Sequence, residues 1–145
     1  MKFRYIILLI ASVLMLGSCA KEDDIEEIFQ GKTWYITGGE INGKPFASED
    51  IKQLYSQKDI YYISFAAKSF HGVLAPKSSL SGQWSANGKS NAFHFVISNA
   101  EATNETALSQ NVYTIIKNAS RYEGDINVLK IKSDNNNYIR LSVKK

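Results

Sequence analysis

The feature that most constrains the fold is a pair of alternating stretches, residues 80–86 and 91–98, joined through Asn87-Gly88. A two-residue alternation of apolar and other side chains is typical of a half-buried β-strand. Asn-Gly is a favoured pair for tight turns. The segment therefore predicts an antiparallel hairpin, in which one face of the second strand is formed by Phe93, Phe95 and Ile97 and the other by His94 and Val96.

Other stretches predict strands of the same kind. Residues 28–39 are bounded by glycines and place Trp34 and Ile36 on one face. Residues 59–66 carry apolar side chains on both faces, so the sequence leaves the inner face of this strand open. The remaining predicted strands are residues 69–75, 126–132 and 138–143, and the last two form a hairpin around a polar turn at residues 133–136.

Two segments change to a helical period. Ser48 is positioned to cap a short helix that carries acidic residues in its first turn. Later in the chain, either Thr103 or Asn104 is positioned to cap a longer helix. The apolar face of that helix is predicted from a spacing of four, three and four residues through Leu108, Val112, Ile115 and Ala119.

Together these elements predict a mostly β domain of the α+β class. We expect a single small antiparallel open barrel or curved sheet of about seven strands, with one short helix and one longer late helix.

The beginning of the chain has the composition of an export signal. Lys2 and Arg4 precede twelve mainly apolar residues, 5–16. As a helix this run would reach only ~18 Å, whereas the hydrocarbon layer of a bilayer measures ~30 Å. A cleavable secretory signal therefore fits better than a transmembrane anchor.

The run ends in Leu16-Gly17-Ser18-Cys19, which resembles the lipobox of bacterial lipoprotein signal peptides. The resemblance implies cleavage between Ser18 and Cys19 and attachment of a diacylglyceryl group to the cysteine sulfur. Cys19 is the only cysteine in the chain, so no internal disulfide competes for it. Two or more acyl chains hold a protein stably on a membrane. We therefore expect an outer-membrane lipoprotein whose partner is the membrane itself.

An acidic run follows the cysteine. Lys21, Glu22, Asp23 and Asp24 are similar to the lysine-plus-acidic export signal of surface-exposed lipoproteins in the Bacteroidota. The alternative is a solvated tether that lifts the domain off the membrane. The periplasmic and cell-surface faces both stay open. The predicted organisation is a signal peptide at 1–18, an acidic lipid-anchored tether at 19–27 and a β-rich domain at 28–145.

Charge argues against nucleic acid as a partner. The formal net charge of +3 falls to +1 once Lys2 and Arg4 are removed with the signal. The remaining basic residues are scattered and form no stripe interleaved with aromatic residues. The mature chain of 127 residues is long enough to bury about two-thirds of its unfolded surface without a disulfide or a metal.

A family resemblance appears in the entry motif Phe29-Gln30-Gly31-Lys32-Thr33-Trp34. It is similar to the Gly-Lys-Thr-Trp start of small uncharacterised lipoproteins of the Bacteroidota, which look related in architecture to META/HslJ-like domains. The resemblance implies a META-like or lipocalin-like β domain. Residues 71–75 lack the Gly-Cys-Asn segment of META domains. Two residues lie between Gly31 and Trp34, where lipocalins have one. Neither family's ligand chemistry therefore transfers.

Catalytic residue patterns are absent from the sequence. Nucleophilic catalysis requires an activated Ser, Cys or Lys with a base, and the chain has no Gly-x-Ser-x-Gly motif. His71 and His94 lie on separate predicted strands without metal-ligand spacing. Residues 134–137 slightly resemble a calcium loop but lack its glycine and distant glutamate. The sequence predicts a protein that is not an enzyme and needs no cofactor.

Aromatic residues are the remaining candidates for ligand binding. Tyr61, Tyr62 and Trp84 could line a surface that stacks on a sugar or a lipid. The alternative is that they belong to the core of a small β domain. The leading hypothesis is a lipid-anchored binding or interaction module for a small molecule, a glycan or an envelope protein. The alternative function is a structural domain for envelope stability or stress, as the META/HslJ resemblance suggests.

Overall fold

The computed structural model describes residues 23–57 and 59–144. The described part contains three helices and nine strands. The helices are α1 (Asp23–Phe29), α2 (Ser48–Ser56) and α3 (Ala107–Lys117). The strands are β1 (Thr33–Ile41), β2 (Lys44–Pro45), β3 (Tyr62–Phe65), β4 (Ser69–Ala75), β5 (Ser78–Asn87), β6 (Ala92–Glu101), β7 (Arg121–Gly124), β8 (Val128–Asp134) and β9 (Asn137–Ser142).

Eight antiparallel strands form a closed barrel. The order is β1-β3-β4-β5-β6-β7-β8-β9, and β9 pairs back onto β1, while the two-residue β2 pairs with the end of β1. The predicted small antiparallel barrel is confirmed, with the barrel closed and one strand more than expected. The additional strand is β7, whose four residues are too few to establish a period.

The predicted central hairpin is confirmed. Trp84 pairs with Phe95 across β5 and β6, and the apolar face of β6 is turned inward while His94 and Val96 are exposed. The connection is longer than an Asn-Gly turn, because the ladder ends at Asn87 and Ala92. The Asn87 carboxamide oxygen accepts hydrogen bonds from two backbone N–H groups of this loop and so holds its shape.

A true Asn-Gly turn joins β1 to β2. Asn42 and Gly43 have φ angles of 53° and 77°, both in the left-handed region. Positive φ at both central residues is the requirement of a type I′ turn, which matches the twist of the strands it connects. The two-residue strand β2 therefore follows directly from this pair.

The structure settles the inner face of β3. Ile63 and Phe65 are buried and Tyr62 is partly exposed on the outside. The strand begins three residues later than the predicted start at residue 59. Tyr61 has a φ of 64°, which no β-strand residue adopts, and this interrupts the extended chain before Tyr62.

Helix α1 begins inside the segment predicted as a solvated tether. Ile25, Ile28 and Phe29 follow the three- and four-residue spacing of a helix face, and the last two are buried. The Trp34 indole N–H donates a hydrogen bond of 2.9 Å to the Ile28 carbonyl. Residues 28–32, predicted as the start of the first strand, therefore complete a helix and a turn that pack onto the barrel.

The caps of the two later helices differ from prediction. The predicted caps Thr103 and Asn104 of α3 are wrong, because Thr106 holds the N-cap position. Thr106 Oγ1 accepts a hydrogen bond from the Ser109 N–H, and Ser109 Oγ accepts one from the Thr106 N–H, both at 2.9 Å. This reciprocal pair is a capping box with serine in the third position. The predicted cap Ser48 of α2 is also wrong. Ser48 is the first residue of the helix, and Ala47 holds the N-cap position without a side-chain hydrogen bond.

The buried face of α3 follows the sequence prediction. Its side chains pack into the barrel against β4, β6, β8 and β9. The predicted face is confirmed as buried at all four positions, Leu108, Val112, Ile115 and Ala119.

Removal of the observed cap has a measurable cost. Thr106→Ala is expected to lower the free energy of unfolding by about 1 kcal/mol, because the Ser109 N–H at the start of α3 loses its acceptor. Asn104→Ala is the matched control at a position that the sequence also favours as a cap, and it should change stability by less than about 0.5 kcal/mol. Urea unfolding of both variants distinguishes them. Equal losses would contradict the assignment of the cap to Thr106.

Candidate functional site

The barrel wall has a weak seam beside α3. Strand β7 pairs with β6 through a single residue pair, Ala92 and Arg121, whereas β7 and β8 pair along four residues. Helix α3 lies across this seam and contacts both β6 and β8. A groove therefore lies on each side of the helix. Strand β6 forms one wall of the first groove, and the β8–β9 turn forms one wall of the second.

The groove on the β8–β9 side has a volume of about 370 Å³. We call it the asparagine groove. One wall is a face of α3, the second is the β8–β9 turn, and the third is the end of β1 with its Asn-Gly turn. Its lining residues are Ile41, Asn42, Asn111, Thr114, Ile115, Asn118, Ser133, Asp134 and Asn137.

Hydrogen bonds hold the rim of the asparagine groove in place. The Asn137 carboxamide oxygen accepts from the Asn42 backbone N–H at 2.9 Å, which ties the two turns together. The Asn137 amide nitrogen donates to the Asp134 carboxylate at 3.0 and 3.1 Å. Ser133 Oγ donates to the Asn137 carbonyl at 3.2 Å. These side chains are fixed before any ligand arrives.

Other polar groups in the groove keep free capacity for hydrogen bonds. The Asn118 amide nitrogen donates to the Thr114 carbonyl at 3.0 Å, and no bond to the carboxamide oxygen of Asn118 occurs within the described residues. The half-buried Asn111 side chain has no hydrogen-bond partner in that part of the chain either. A carboxamide carries two donor hydrogens and an acceptor oxygen. The helix wall therefore presents donors and acceptors to a bound molecule.

Among the described residues that line the groove, one carries an ionisable group, Asp134. The Asp134 carboxylate accepts from the Asn136 backbone N–H at 2.7 Å as well as from Asn137. The hydrogen bond from the Asn136 N–H is the main reason why the pKa of Asp134 lies below its ordinary value of 3.8. The hydrogen bond from the Asn137 side-chain amide lowers this pKa further. The carboxylate is therefore ionised at neutral pH and is engaged in the turn. The slight calcium-loop resemblance of residues 134–137 corresponds to a hairpin turn closed by this carboxylate.

The titration of Asp134 makes the β8–β9 turn sensitive to acid. A folded pKa below the unfolded value means that the carboxylate stabilises the fold above pH ~4 and that this contribution disappears as pH falls through the folded pKa. We expect the difference in melting temperature between the unmodified protein and Asp134→Asn to be constant from pH 7 to 5 and to shrink from pH 4 to 2. Asp59→Asn, on an exposed side chain, is the control. A pH-independent difference would contradict the prediction.

The structure separates the three aromatic residues predicted to bind a ligand. Tyr61 is only 1% exposed, and burial is the main cause of the raised pKa of its hydroxyl. The negative charges of Glu105 and Asp50 raise this pKa further. Trp84 is partly buried, and its indole N–H donates to the Ala66 carbonyl at 2.9 Å. The three side chains therefore do not share one surface, and their role in binding stays a prediction.

Tyr62 lies on the outer wall of the barrel. Its ring is 6.3 Å from those of Tyr35 and His71. It helps to line a depression of about 310 Å³ with Thr33, Tyr35, Asp59 and Ser64. This shallow surface is the part of the predicted aromatic site that remains open to solvent.

The residues of the predicted lipid anchor lie largely outside the described part. Ser18, Cys19, Lys21 and Glu22 precede it, Asp23 is the first residue of α1, and the Asp24 side chain is exposed. Among the described residues, no helix has both the length and the apolar character needed to cross a membrane. Within the same residues, no three His, Cys, Asp or Glu side chains are grouped to hold a metal ion.

The asparagine groove was not among the predicted sites. One signal for its helix wall was available, because Asn111, Thr114 and Asn118 recur at three and four residues on a predicted helix. That face is polar and adjoins the buried face, which is ordinary for a surface helix. The contribution of Asn42 and Asn137 depends on barrel closure and has no local signal.

Comparison with known proteins identifies a family and finds similar solved structures. Residues 20–143 match the family described as Domain of unknown function (DUF4847). The crystal structure of a DUF4847 family protein from Bacteroides vulgatus ATCC 8482 is 25% identical, with a TM-score of 0.64. The match covers 83% of this chain and 98% of the other. No curated protein matches. The predicted likeness to an uncharacterised family with a β-barrel fold is confirmed, and the META/HslJ relationship stays a prediction.

Proposed function

Since this chain belongs to the DUF4847 family, a domain of unknown function, we propose from its own geometry that it is a non-catalytic binding module. Its ligand site is the asparagine groove, and its ligand is a neutral, hydroxyl-rich molecule such as a glycan. The observation that carries the proposal is the free hydrogen-bonding capacity of Asn111 and Asn118 beside a rim that is already fixed.

The groups in the groove suit hydroxyl recognition. Each sugar hydroxyl donates one hydrogen bond and accepts others, and a carboxamide complements both functions. Ile41 and Ile115 add apolar surface for the C–H faces of a ring. A volume of about 370 Å³ lies within the range of ~300–1,000 Å³ typical of small-ligand sites. A fixed rim reduces the entropy lost on binding.

The same residues favour binding over catalysis. The described residues that line the asparagine groove include no histidine, lysine or cysteine, and the one carboxylate among them is engaged in the β8–β9 turn. General acid–base chemistry needs a group whose pKa lies near the working pH. The pKa of Asp134 is moved away from that range. This supports a role in which the ligand is held and released unchanged.

We propose further that lipid on Cys19 anchors the module to the outer membrane. The support is the order of a cationic head, an apolar run and Leu16-Gly17-Ser18-Cys19. Helix α1 begins four residues after Cys19, so the tether between lipid and barrel would be short. Fractionation of cells that express Cys19→Ser tests this: the variant should leave the membrane fraction, and retention there would refute the anchor.

A structural role in the envelope is the alternative that the packed interior favours. In the part of the chain that the structure describes, aromatic rings from α1, β3, β5 and β6 pack together inside the barrel, where a lipocalin would hold its ligand. Under this alternative the asparagine groove would hold only water. Binding experiments on the groove therefore separate the two functions.

The test is a glycan array probed with the mature chain, residues 19–145, carrying Cys19→Ser. We expect retention of a defined set of glycans and an affinity about 5- to 150-fold weaker in Asn111→Ala/Asn118→Ala, because two amide–hydroxyl contacts at ~0.5–1.5 kcal/mol each are lost. Asn127→Ala, on an exposed asparagine of the β7–β8 connection, is the matched control. Absence of retention, or equal binding by the double variant, would overturn the proposed site.

A further inference from the structure

Strand β6 has an open edge beyond its first residue. It pairs with β5 along its whole length but with β7 only through Ala92. The Phe93 N–H still reaches the Ser120 carbonyl, at 3.0 Å. Backbone groups alternate between the two edges of a strand, so the N–H and C=O groups of Phe95 and Ile97 point to the same side as those of Phe93. No hydrogen bond to these groups from that side is found within the described residues.

A groove runs along this open edge. It lies on the flank of α3 away from the asparagine groove and has a volume of about 410 Å³. We call it the β6 groove. Its floor and walls combine apolar, aromatic and polar side chains, and one cation stands at the C-terminal end of the helix. The lining residues are Phe95, Ile97, Ser98, Asn99, Ala100, Tyr113 and Lys117.

The open stretch is short and defined. Ser81 pairs with Asn99 and Gly82 with Ile97, so Ser98 is the extra residue of a β-bulge. A bulge changes the direction of the following backbone groups and ends regular pairing. The regular open edge therefore extends over the three residues from Phe95 to Ile97, which matches an added strand of about three residues.

We propose that the β6 groove binds an extended peptide segment, which adds to the open edge of β6 as a further antiparallel strand. Unpaired strand edges recruit other chains through backbone hydrogen bonds, and pockets for alternate side chains supply selectivity. One apolar side chain of the peptide packs on Phe95 and Ile97 beside Tyr113. An acidic side chain or terminal carboxylate of the peptide faces Lys117.

The positive charge of Lys117 favours an acidic peptide as the occupant of the β6 groove. Lys117 is exposed in the last turn of α3, and among the described residues that line the β6 groove it is the one that is charged at neutral pH. Opposite charge at the end of the groove fixes the direction in which the peptide runs and raises its rate of association. A second copy of this chain, paired edge to edge through β6, is the competing occupant and has a separate outcome below.

The experiment selects peptides from a displayed library of random 12-residue sequences, using the mature chain with Cys19→Ser. We expect enriched peptides that alternate apolar residues and carry Asp or Glu. Addition of a synthetic copy of one enriched peptide should slow hydrogen exchange at the amides of Phe95 and Ile97 at least tenfold. The amide of Phe93, which is already bonded to Ser120, is the internal control.

Two charge reversals test the direction of binding. Lys117→Glu should weaken the enriched peptide at least about threefold, and Lys52→Glu on the exposed face of α2 should leave its affinity unchanged. The proposal is overturned if no alternating acidic peptide is enriched or if enriched peptides leave exchange at Phe95 and Ile97 unchanged. It is also overturned if these amides become protected with protein concentration alone, since a second copy would then be the occupant. None of these outcomes bears on the asparagine groove.

Discussion

Replacement of Phe29 by alanine is expected to lower the free energy of unfolding by about 3–5 kcal/mol. The side chain is fully buried, and its ring centroid lies between 5.0 and 5.2 Å from those of Phe65, Trp84, Phe93 and Tyr122. Its removal leaves a cavity at the centre of the aromatic cluster. It also removes a buried side chain through which α1 packs on the barrel. Guanidinium unfolding followed by tryptophan fluorescence measures the loss.

The control for Phe29→Ala is an aromatic side chain on another helix. Tyr55 on α2 is 49% exposed, and Tyr55→Ala should change stability by less than about 0.5 kcal/mol. A loss below about 1 kcal/mol for Phe29→Ala would show that α1 does not pack on the barrel. Residues 23–27 would then belong to the tether, as the sequence alone predicted.

Gly82→Ala is expected to lower the free energy of unfolding by about 3 kcal/mol, the upper end of the usual cost of overpacking. A β-carbon at this position would overlap the Val96 carbonyl oxygen and would lie 2.9 Å from the Ser98 amide nitrogen. Both atoms belong to the backbone of β6, at the bulge of the central hairpin. Relief of the contact requires the two strands to separate where the aromatic cluster is anchored, so no side-chain rotation can absorb it.

Gly72→Ala is the matched control for Gly82→Ala on the neighbouring strand. Its β-carbon would meet Leu80 Cδ2 at 3.2 Å, the far end of a flexible side chain. We expect a loss below about 1 kcal/mol, because Leu80 can shift by a few tenths of an ångström. Thermal unfolding of both variants makes the comparison. Equal stabilities would mean that the bulge is not packed as the structure has it.

The sequence predicted the parts of the fold that long, regular patterns determine. The alternation through Phe93 and Phe95 and the helical spacing through Leu108 and Val112 are both confirmed, because burial of one face dictates the period. Short elements escaped prediction. Strand β7 has four residues and α1 has seven, so each depends on packing against the barrel more than on local preference.

The first and last residues of helices and strands were harder to predict than the presence of the helices and strands themselves. Thr103, Asn104 and Thr106 are all chemically able to cap a helix, and local sequence does not rank them. Ser109 selects Thr106 as the cap, because its hydroxyl oxygen accepts a hydrogen bond from the Thr106 backbone N–H. In the same way, the left-handed φ of Tyr61 ends the extended chain before β3, and no sequence rule assigns that conformation to tyrosine.

The candidate site could not be assembled from the sequence because its walls are distant in the chain. Asn42 and Asn137 are joined by a 2.9 Å hydrogen bond that forms only when β9 closes the barrel against β1. Residues predicted from chemistry alone, such as Tyr61, were aromatic and therefore compete for the core. The polar residues of the groove are ordinary for turns and helix surfaces when each is taken separately.

The proposal that the asparagine groove binds a hydroxyl-rich ligand is tested most directly by the side-chain amide signals of the asparagines. A nitrogen–proton NMR spectrum of the mature chain with Cys19→Ser would be titrated with the glycan that the array retains most strongly. We expect saturable shifts of the amide signals of Asn111 and Asn118 and an unmoved signal for Asn127. Stationary signals from Asn111 and Asn118 at saturating glycan would contradict the proposal.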